Sequence, residues 1–299
     1  MTGSGKILVL GPTGNVGSAL MPRLTAMGAD VRVLVRAEPS DASKTEALHD
    51  AGVELFHGDL NNLDTLHAAF NGVADVFLLT APGPTGGAQA SNAITAAKQS
   101  GNPHVVNLSV AKATPSHPSR FGREHGETDI ELMESGLPYT FVRAIMFMQN
   151  TLAAAQTVAS PQGTIYMPMK AGKLGFVDAR DVAEAAAVVL TSDGHEGKSY
   201  VLTGPESISI QDVADTLSRV LGKEVKYVDV PPEAAKQAML DIGTPEWMAD
   251  GIIETTAALG EGLGDYTTDD FEKLTGHRAN SYETFARDFA RAFGGIAQT

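Results

Sequence analysis

The sequence predicts an α/β fold: a mostly parallel, doubly wound sheet with helices on both faces, followed by a smaller, mostly helical C-terminal lobe. Three observations carry that expectation. Short apolar runs alternate with amphipathic stretches through the first half. Most of those stretches are closed by a glycine, at Gly28, Gly52, Gly72, Gly101 and Gly136. A glycine-spaced turn joins the first strand to the first helix. Alternation of this kind builds right-handed βαβ units, and these make sheets parallel.

The elements follow in order. Lys6–Leu10 (KILVL) reads as a strand and Asn15–Met27 as a helix, with Pro22 removing a hydrogen bond inside it. Strands are expected at Asp30–Val35, Val53–His57, Val76–Thr80, His104–Ser109 and Tyr139–Arg143, each a β-branched or aromatic run. Helices are expected between them at Thr45–Ala51, Leu63–Asn71, Ala88–Ser100 and Arg120–Ser135. Beyond Arg143 the pattern loosens. Pro161-Gln162-Gly163 and Ala171-Gly172-Lys173 bracket an expected hairpin at Thr164–Met167. An alanine-rich helix at Asp181–Leu190, a strand at Ser199–Leu202, a helix at Ile210–Leu221 and a strand at Val225–Val230 come next. Helices at Glu233–Leu240, Pro245–Leu259, Thr268–Leu274 and Ser281–Phe293 complete the chain. Two domains are expected: 1–155, carrying the parallel sheet, and 156–299, a smaller substrate lobe over the carboxyl ends of the strands. Part of 173–205 is expected to return to the first domain.

Composition narrows the function. A formal charge of −14 argues against nucleic acid as a partner, since phosphate binding needs a concentrated basic surface. No apolar run approaches the roughly 20 residues of a membrane span, and Met1–Lys6 is too short and polar for a signal peptide. With no cysteine, disulfides, thiolate metal sites and thiol nucleophiles are excluded, which agrees with a cytoplasmic setting. A monomer or homodimer is expected, with no metal.

The turn Gly11-Pro12-Thr13-Gly14-Asn15-Val16-Gly17 follows a strand and opens a helix. Glycine lets backbone approach a pyrophosphate, and the helix N-terminus offers N–H donors and positive potential. This is the context of a Rossmann-type dinucleotide site. NAD-binding chains place an acid about 20 residues past the glycines, on the ribose hydroxyls. Here Val35 is followed by Arg36, with Glu38 two residues on. An arginine at that position matches NADP (NADPH), whose extra phosphate it can bind bidentately; the other reading is a surface arginine. Asp59-Leu60 stands where the adenine lies in this fold, and Asp59 could equally cap the following turn. Thr80, Ala81 and Pro82 stand where backbone passes the ribose and pyrophosphate.

The segments GPTGNVG, VRVLVR, GDL, SGLPYTFVR (135–143), FVDARDVAEAAAVVL (176–190) and LTGPESISIQDVA (202–214) resemble the NmrA-like family of atypical short-chain reductases. That family includes NADP-dependent quinone reductases, dye reductases, isoflavone-reductase-like enzymes and catalytically silent redox sensors. The resemblance puts Ser109 at the serine position of those reductases. It offers no tyrosine–lysine pair on the helix that should carry one. Tyr166 and Lys170 have the spacing, but Pro168 lies between them. His125 falls where the isoflavone-reductase-like enzymes hold a catalytic lysine and where the quinone and dye reductases hold histidine. A histidine, with an ordinary pKa near 6.5, can donate a proton near neutral pH; alternatively it pairs with Asp129 one turn on. The resemblance places Ile145–Asn150, with Phe147, beside the nicotinamide, where the large apolar residues are either a slot for an aromatic substrate or core. Asp178 and Asp181 are expected to support loops and a helix cap, and Trp247 to anchor packing. The implied activity is hydride transfer from NADPH to a quinone or similar small aromatic or conjugated acceptor, with His125 as proton donor. The alternative is a non-catalytic NADP-binding regulator.

Overall fold

The computed structural model describes residues 5–36, 42–81 and 83–295, and its chain divides into two compact units. The first holds residues up to His117, then Gly122–Arg143 and Val182–Val201. The second holds Pro118–Phe121, Ala144–Asp181 and the chain from Leu202 onward. Residues 144–155 therefore belong with the second unit, and the return to the first spans 182–201.

In the first unit β1 (Lys6–Leu10), α1 (Asn15–Ala26), β2 (Val31–Val35), α2 (Ala42–Asp50) and β3 (Glu54–His57) form the opening βαβαβ run. A 3-10 turn at Leu63–Thr65 and the single-turn α3 (His67–Phe70) lead to β4 (Val73–Leu78), α4 (Gly86–Gln99), β5 (His104–Val110), α5 (Arg120–Glu134) and β6 (Tyr139–Ala144). Helix α1 runs unbroken through Pro22. Strand β4 starts at Val73, earlier than its apolar run suggested, and stops at Leu78, where pairing with β5 ends at Asn107. After a second 3-10 segment (Met148–Ala154) come α6 (Ala155–Ala159), β7 (Thr164–Tyr166), β8 (Lys173–Leu174) and α7 (Ala179–Thr191). Strand β9 (Lys198–Leu202) closes the sheet.

The sheet has the order β3-β2-β1-β4-β5-β6-β9, and β1 pairs in parallel with both β2 and β4. Chain order thus reverses between β1 and β4, the point where open α/β sheets leave a crevice beyond their carboxyl ends. Both faces of the strands are buried. Leu8, Leu10, Val76 and Leu78 join Phe70, Ile94 and Leu132 in one core, while the alternating Ile7, Val9, Val33 and Phe77 are buried on the opposite face.

The second unit continues with β10 (Ile208–Ser209), α8 (Ile210–Leu221), β11 (Lys226–Val228), α9 (Pro232–Asp241), α10 (Glu246–Gly260), α11 (Asp270–Thr275) and α12 (Tyr282–Asp288). Its core gathers Met148, Phe176, Leu217, Leu259, Phe285 and Phe293. The hairpin expected at Thr164–Met167 does not form. β7 pairs in parallel with β11 (Thr164 opposite Lys226), and β8 pairs antiparallel with β10. Distant partners supply the backbone hydrogen bonds, and Lys170 turns the chain through positive φ. Helix α12 stops short of Phe293 because the chain tightens to three-residue hydrogen bonds at Ala292, Phe293 and Gly294. That turn places Phe293 in the core.

Candidate functional site: the glycine turn and a buried polar network

Two of the three glycines of the first turn are required by the fold, and for different reasons. Gly11 has φ +69°, a conformation that favours glycine. A Cβ on Gly17 would run into the Gly11 carbonyl oxygen and lie 2.8 Å from Pro12 Cα, so α1 packs on the turn only without it. Gly14 is the N-cap of α1, with φ −74° and ψ 177°, which any residue adopts. A Cβ there would meet nothing nearer than the Gly11 carbonyl oxygen at 3.7 Å. Neither packing nor backbone demands glycine at 14, which is exposed. Gly14, as the N-cap, offers no side chain to the first-turn N–H groups of α1.

Around the turn, Pro12, Val16 and Gly17 are buried, Thr13 is half-buried, and Asn15 is exposed. Arg36, at the end of β2, is exposed, and its guanidinium makes no hydrogen bond or ion pair among the described residues. Asp59 Oδ1 accepts from the Asn61 backbone N–H at 2.9 Å and from the Asn61 amide. The turn-capping reading of Asp59 is therefore present in the structure. Leu60 packs against the first unit's core. Thr80 and the exposed Ala81 follow β4 across the switch point. Pro82 and Glu38 lie outside the described residues.

A second constellation lies on β5, α5 and β6. Asn107 and Ser109, two apart on β5, share a face. Asn107 Nδ2 donates to Asp129 Oδ1 and Ser109 Oγ to Oδ2, each at 2.9 Å. Arg143 Nη2, from β6, stands 2.8 Å from the same Oδ2, and its guanidinium lies 4.9 Å over the Phe141 ring. Asp129 is 2% exposed. Burial raises its pKa to about 6, against the opposing pull of Arg143, Ser109 and Asn107. Ser109, 1% exposed, thus commits its hydroxyl proton to Asp129.

His125 precedes Asp129 by one helical turn, on the same face of α5. The expected His125–Asp129 pair does not form, because Asn107, Ser109 and Arg143 occupy the carboxylate. The imidazole has no hydrogen-bond partner among the described residues. Burial, then the charge of Arg143, lowers its pKa to about 4, well under the ordinary 6.5. His125 is therefore a neutral imidazole near pH 7. The α5 backbone is closely approached here: a Cβ on Gly126 would strike the Thr114 backbone, and one on Gly122 the His117 ring. Asp129 and Arg143 were not legible as a pair, since they come from different elements. The signal available was a lone arginine in an otherwise apolar strand (YTFVR).

In the second unit, Phe147 is half-buried, held by a bridge to Val177. Met148 lies in the core, with Ile145 and Met146 packed against it. Asp178 accepts from Gln149 and from Arg180, and Asp181 from Asn280; both support loops. Tyr166 lies on β7, and Lys170 pairs with Glu261, so they form no helical pair. Trp247 meets Phe121 edge-on at 6.5 Å, and its carbonyl accepts from Arg120. Among the described residues no cluster of three or more His, Asp or Glu could hold a metal, and no helix is long and apolar enough to cross a membrane.

The model of the NmrA-like family matches residues 3–285. The chain belongs to the NmrA-like family. The NAD(P)H azoreductase of Xenophilus azovorans is 39% identical over 96% of this chain and 99% of its own. The NADPH complex of quinone oxidoreductase QOR2 from Escherichia coli superposes with a TM-score of 0.86 at 26% identity, covering 95% of this chain and 99% of that one. The NADP(H) complex of Citrobacter sp. triphenylmethane reductase gives 0.83 at 29% identity, covering 93% and 98%.

Proposed function

We propose that this chain is an NADPH-dependent reductase that delivers hydride to a quinone, azo or similar conjugated aromatic acceptor. The observation that supports the cofactor is Gly14, an exposed glycine at the N-cap of α1 that neither packing nor backbone requires. Residues Gly11, Thr13, Gly14, Asn15, Val16 and Gly17 would hold the pyrophosphate, and Arg36 the extra phosphate. Asp59 and Leu60 would flank the adenine, and Thr80 and Ala81 the ribose. Ser109, through its backbone, completes the assignment within the first unit. When bound, NADPH supplies the hydride. The acceptor class rests on the azo, quinone and triphenylmethane groups named for the similar proteins. The absence of cysteine fits action in the cytoplasm.

His125 is assigned as the group that hydrogen-bonds the reducing acceptor. As a neutral imidazole it offers an N–H to developing negative charge, rather than an imidazolium proton. Loss of NADPH absorbance with a quinone, an azo dye and a triphenylmethane dye tests the activity. Steady turnover is expected with at least one; tight NADPH binding with none would make the chain a non-catalytic sensor. His125→Ala should lower turnover by roughly 10²–10⁴-fold for acceptors that need the donor, less for a quinone, with NADPH affinity unchanged. The wild-type profile should show no loss of activity centred near pH 6.5; such a loss would return His125 to an imidazolium role.

A further inference from the structure

We propose that Glu254 and Gly251 of α10 are positioning residues: they seat the first turn of α5, and with it the backbone of His125. The contacts lie within the second unit, which holds Pro118–Phe121 together with α10. The Arg120 backbone N–H, the first of α5, donates to Glu254 Oε2 at 2.6 Å. A carboxylate from another helix thus meets the positive end of the α5 dipole. Arg120 Nη1 donates to the Trp247 carbonyl at 3.1 Å. Thr255 gives its hydroxyl proton to the Gly251 carbonyl, so Ser119 Oγ donates to Thr255 Oγ1 at 2.7 Å. The Phe121 ring lies over Gly251, where a Cβ would stand 2.5 Å from its Cζ. Glycine weakens a helix interior, and Gly251 has no positive φ to require it; room for the ring is what it supplies. Trp247, Gly251, Glu254 and Thr255 follow at helical spacing on one face of α10. From the seated turn, the constraint passes along one continuous helix, Arg120–Glu134. The His125 N–H bonds the carbonyl four residues back, which is that of Phe121. Fraying of the first turn therefore removes the hydrogen bond that holds the His125 backbone.

The catalytic consequence rests on the assignment of His125 as donor, and the seating does not, so each has its own readout. Amide hydrogen exchange, followed by NMR without substrate, reads the seating. Glu254→Ala should speed exchange at Glu124 and His125 roughly fivefold or more. Gly251→Ala, which displaces the Phe121 ring, should do the same. Glu254→Gln keeps an acceptor for the Arg120 N–H and should stay within about twofold of wild type. Unchanged exchange in the alanine variants, or Glu254→Gln as fast as Glu254→Ala, overturns the proposal. If Gly251→Ala does not fold, the two Glu254 variants still decide. Turnover then reads the consequence through a double-mutant cycle. Glu254→Ala should lower kcat about fivefold with NADPH affinity unchanged, and should lower it no further in a His125→Ala background. A merely structural cap would leave the two losses independent, and losses that multiply overturn the positioning role. Undiminished turnover in His125→Ala would refute His125 as donor and leave Glu254 and Gly251 seating a helix without a catalytic part.

Discussion

The glycine turn and the Asp129 network both belong to the first unit, yet opposite physics builds them. The turn is backbone: three glycines, one with φ +69°, one pressed against a carbonyl, one facing open space. Its determinants lie within seven consecutive residues. The network is side chain: a carboxylate from α5, a guanidinium from β6, and an amide and a hydroxyl from β5, joined only by folding. A local motif can be read and tested residue by residue. A long-range network acts as a unit, and its members change meaning when one is removed.

Gly14 and Gly17 should therefore part company. Gly14→Val places its side chain in the open space before the helix, at about 1 kcal/mol of capping cost, and should abolish NADPH binding in a folded protein. Gly17→Val must push apart Gly11 and Pro12 and should cost about 3 kcal/mol of stability. Calorimetric titration with NADPH and urea unfolding of both variants separate the two. Normal NADPH affinity in a folded Gly14→Val would remove the turn from the site.

A smaller effect belongs to Arg36. Exposed and unpaired among the described residues, it is free to take a phosphate. NADPH should bind at least tenfold more tightly than NADH, about 1.4 kcal/mol, and Arg36→Ala should erase most of that ratio. Equal affinities in the wild type would leave Arg36 an ordinary surface residue.

These two regions also show how far the sequence could be read. Strands β1 to β6 and their helices were legible because each is a short apolar run or amphipathic stretch ended by glycine, a local signal. Gly11–Gly17 was legible for the same reason. The pairing of β7 with β11 was not, because Thr164 and Lys226 are far apart in the chain. Nor was the fate of Asp129. Helical spacing offered it to His125, while three groups from β5 and β6 had the stronger claim. Ser109 was expected to end its strand, which runs one residue further to Val110, and where its hydroxyl points depended on a helix twenty residues on.

The least visible effect comes from His125 and Asp129 together, and it lies in stability against pH. The folded His125 titrates at about 4 instead of 6.5. As pH falls through that window, the unfolded chain takes up a proton that the folded one refuses, so stability is lost. Asp129 titrates at about 6 instead of 3.8. Here the folded chain takes up its proton first, so its contribution is full below 3.8 and is lost as pH rises through 6. At 1.36 kcal/mol per pH unit each amounts to about 3 kcal/mol. Their signs are opposite over nearly the same interval, so together they leave the wild type almost flat between pH 4 and 6. Removing either partner should expose the other. Relative to wild type, His125→Gln should gain stability at pH 4.5 compared with pH 6.5, and Asp129→Asn should lose it. Urea midpoints at the two pH values measure the tilt, and two variants running parallel to wild type would show that neither group's burial is as the structure places it.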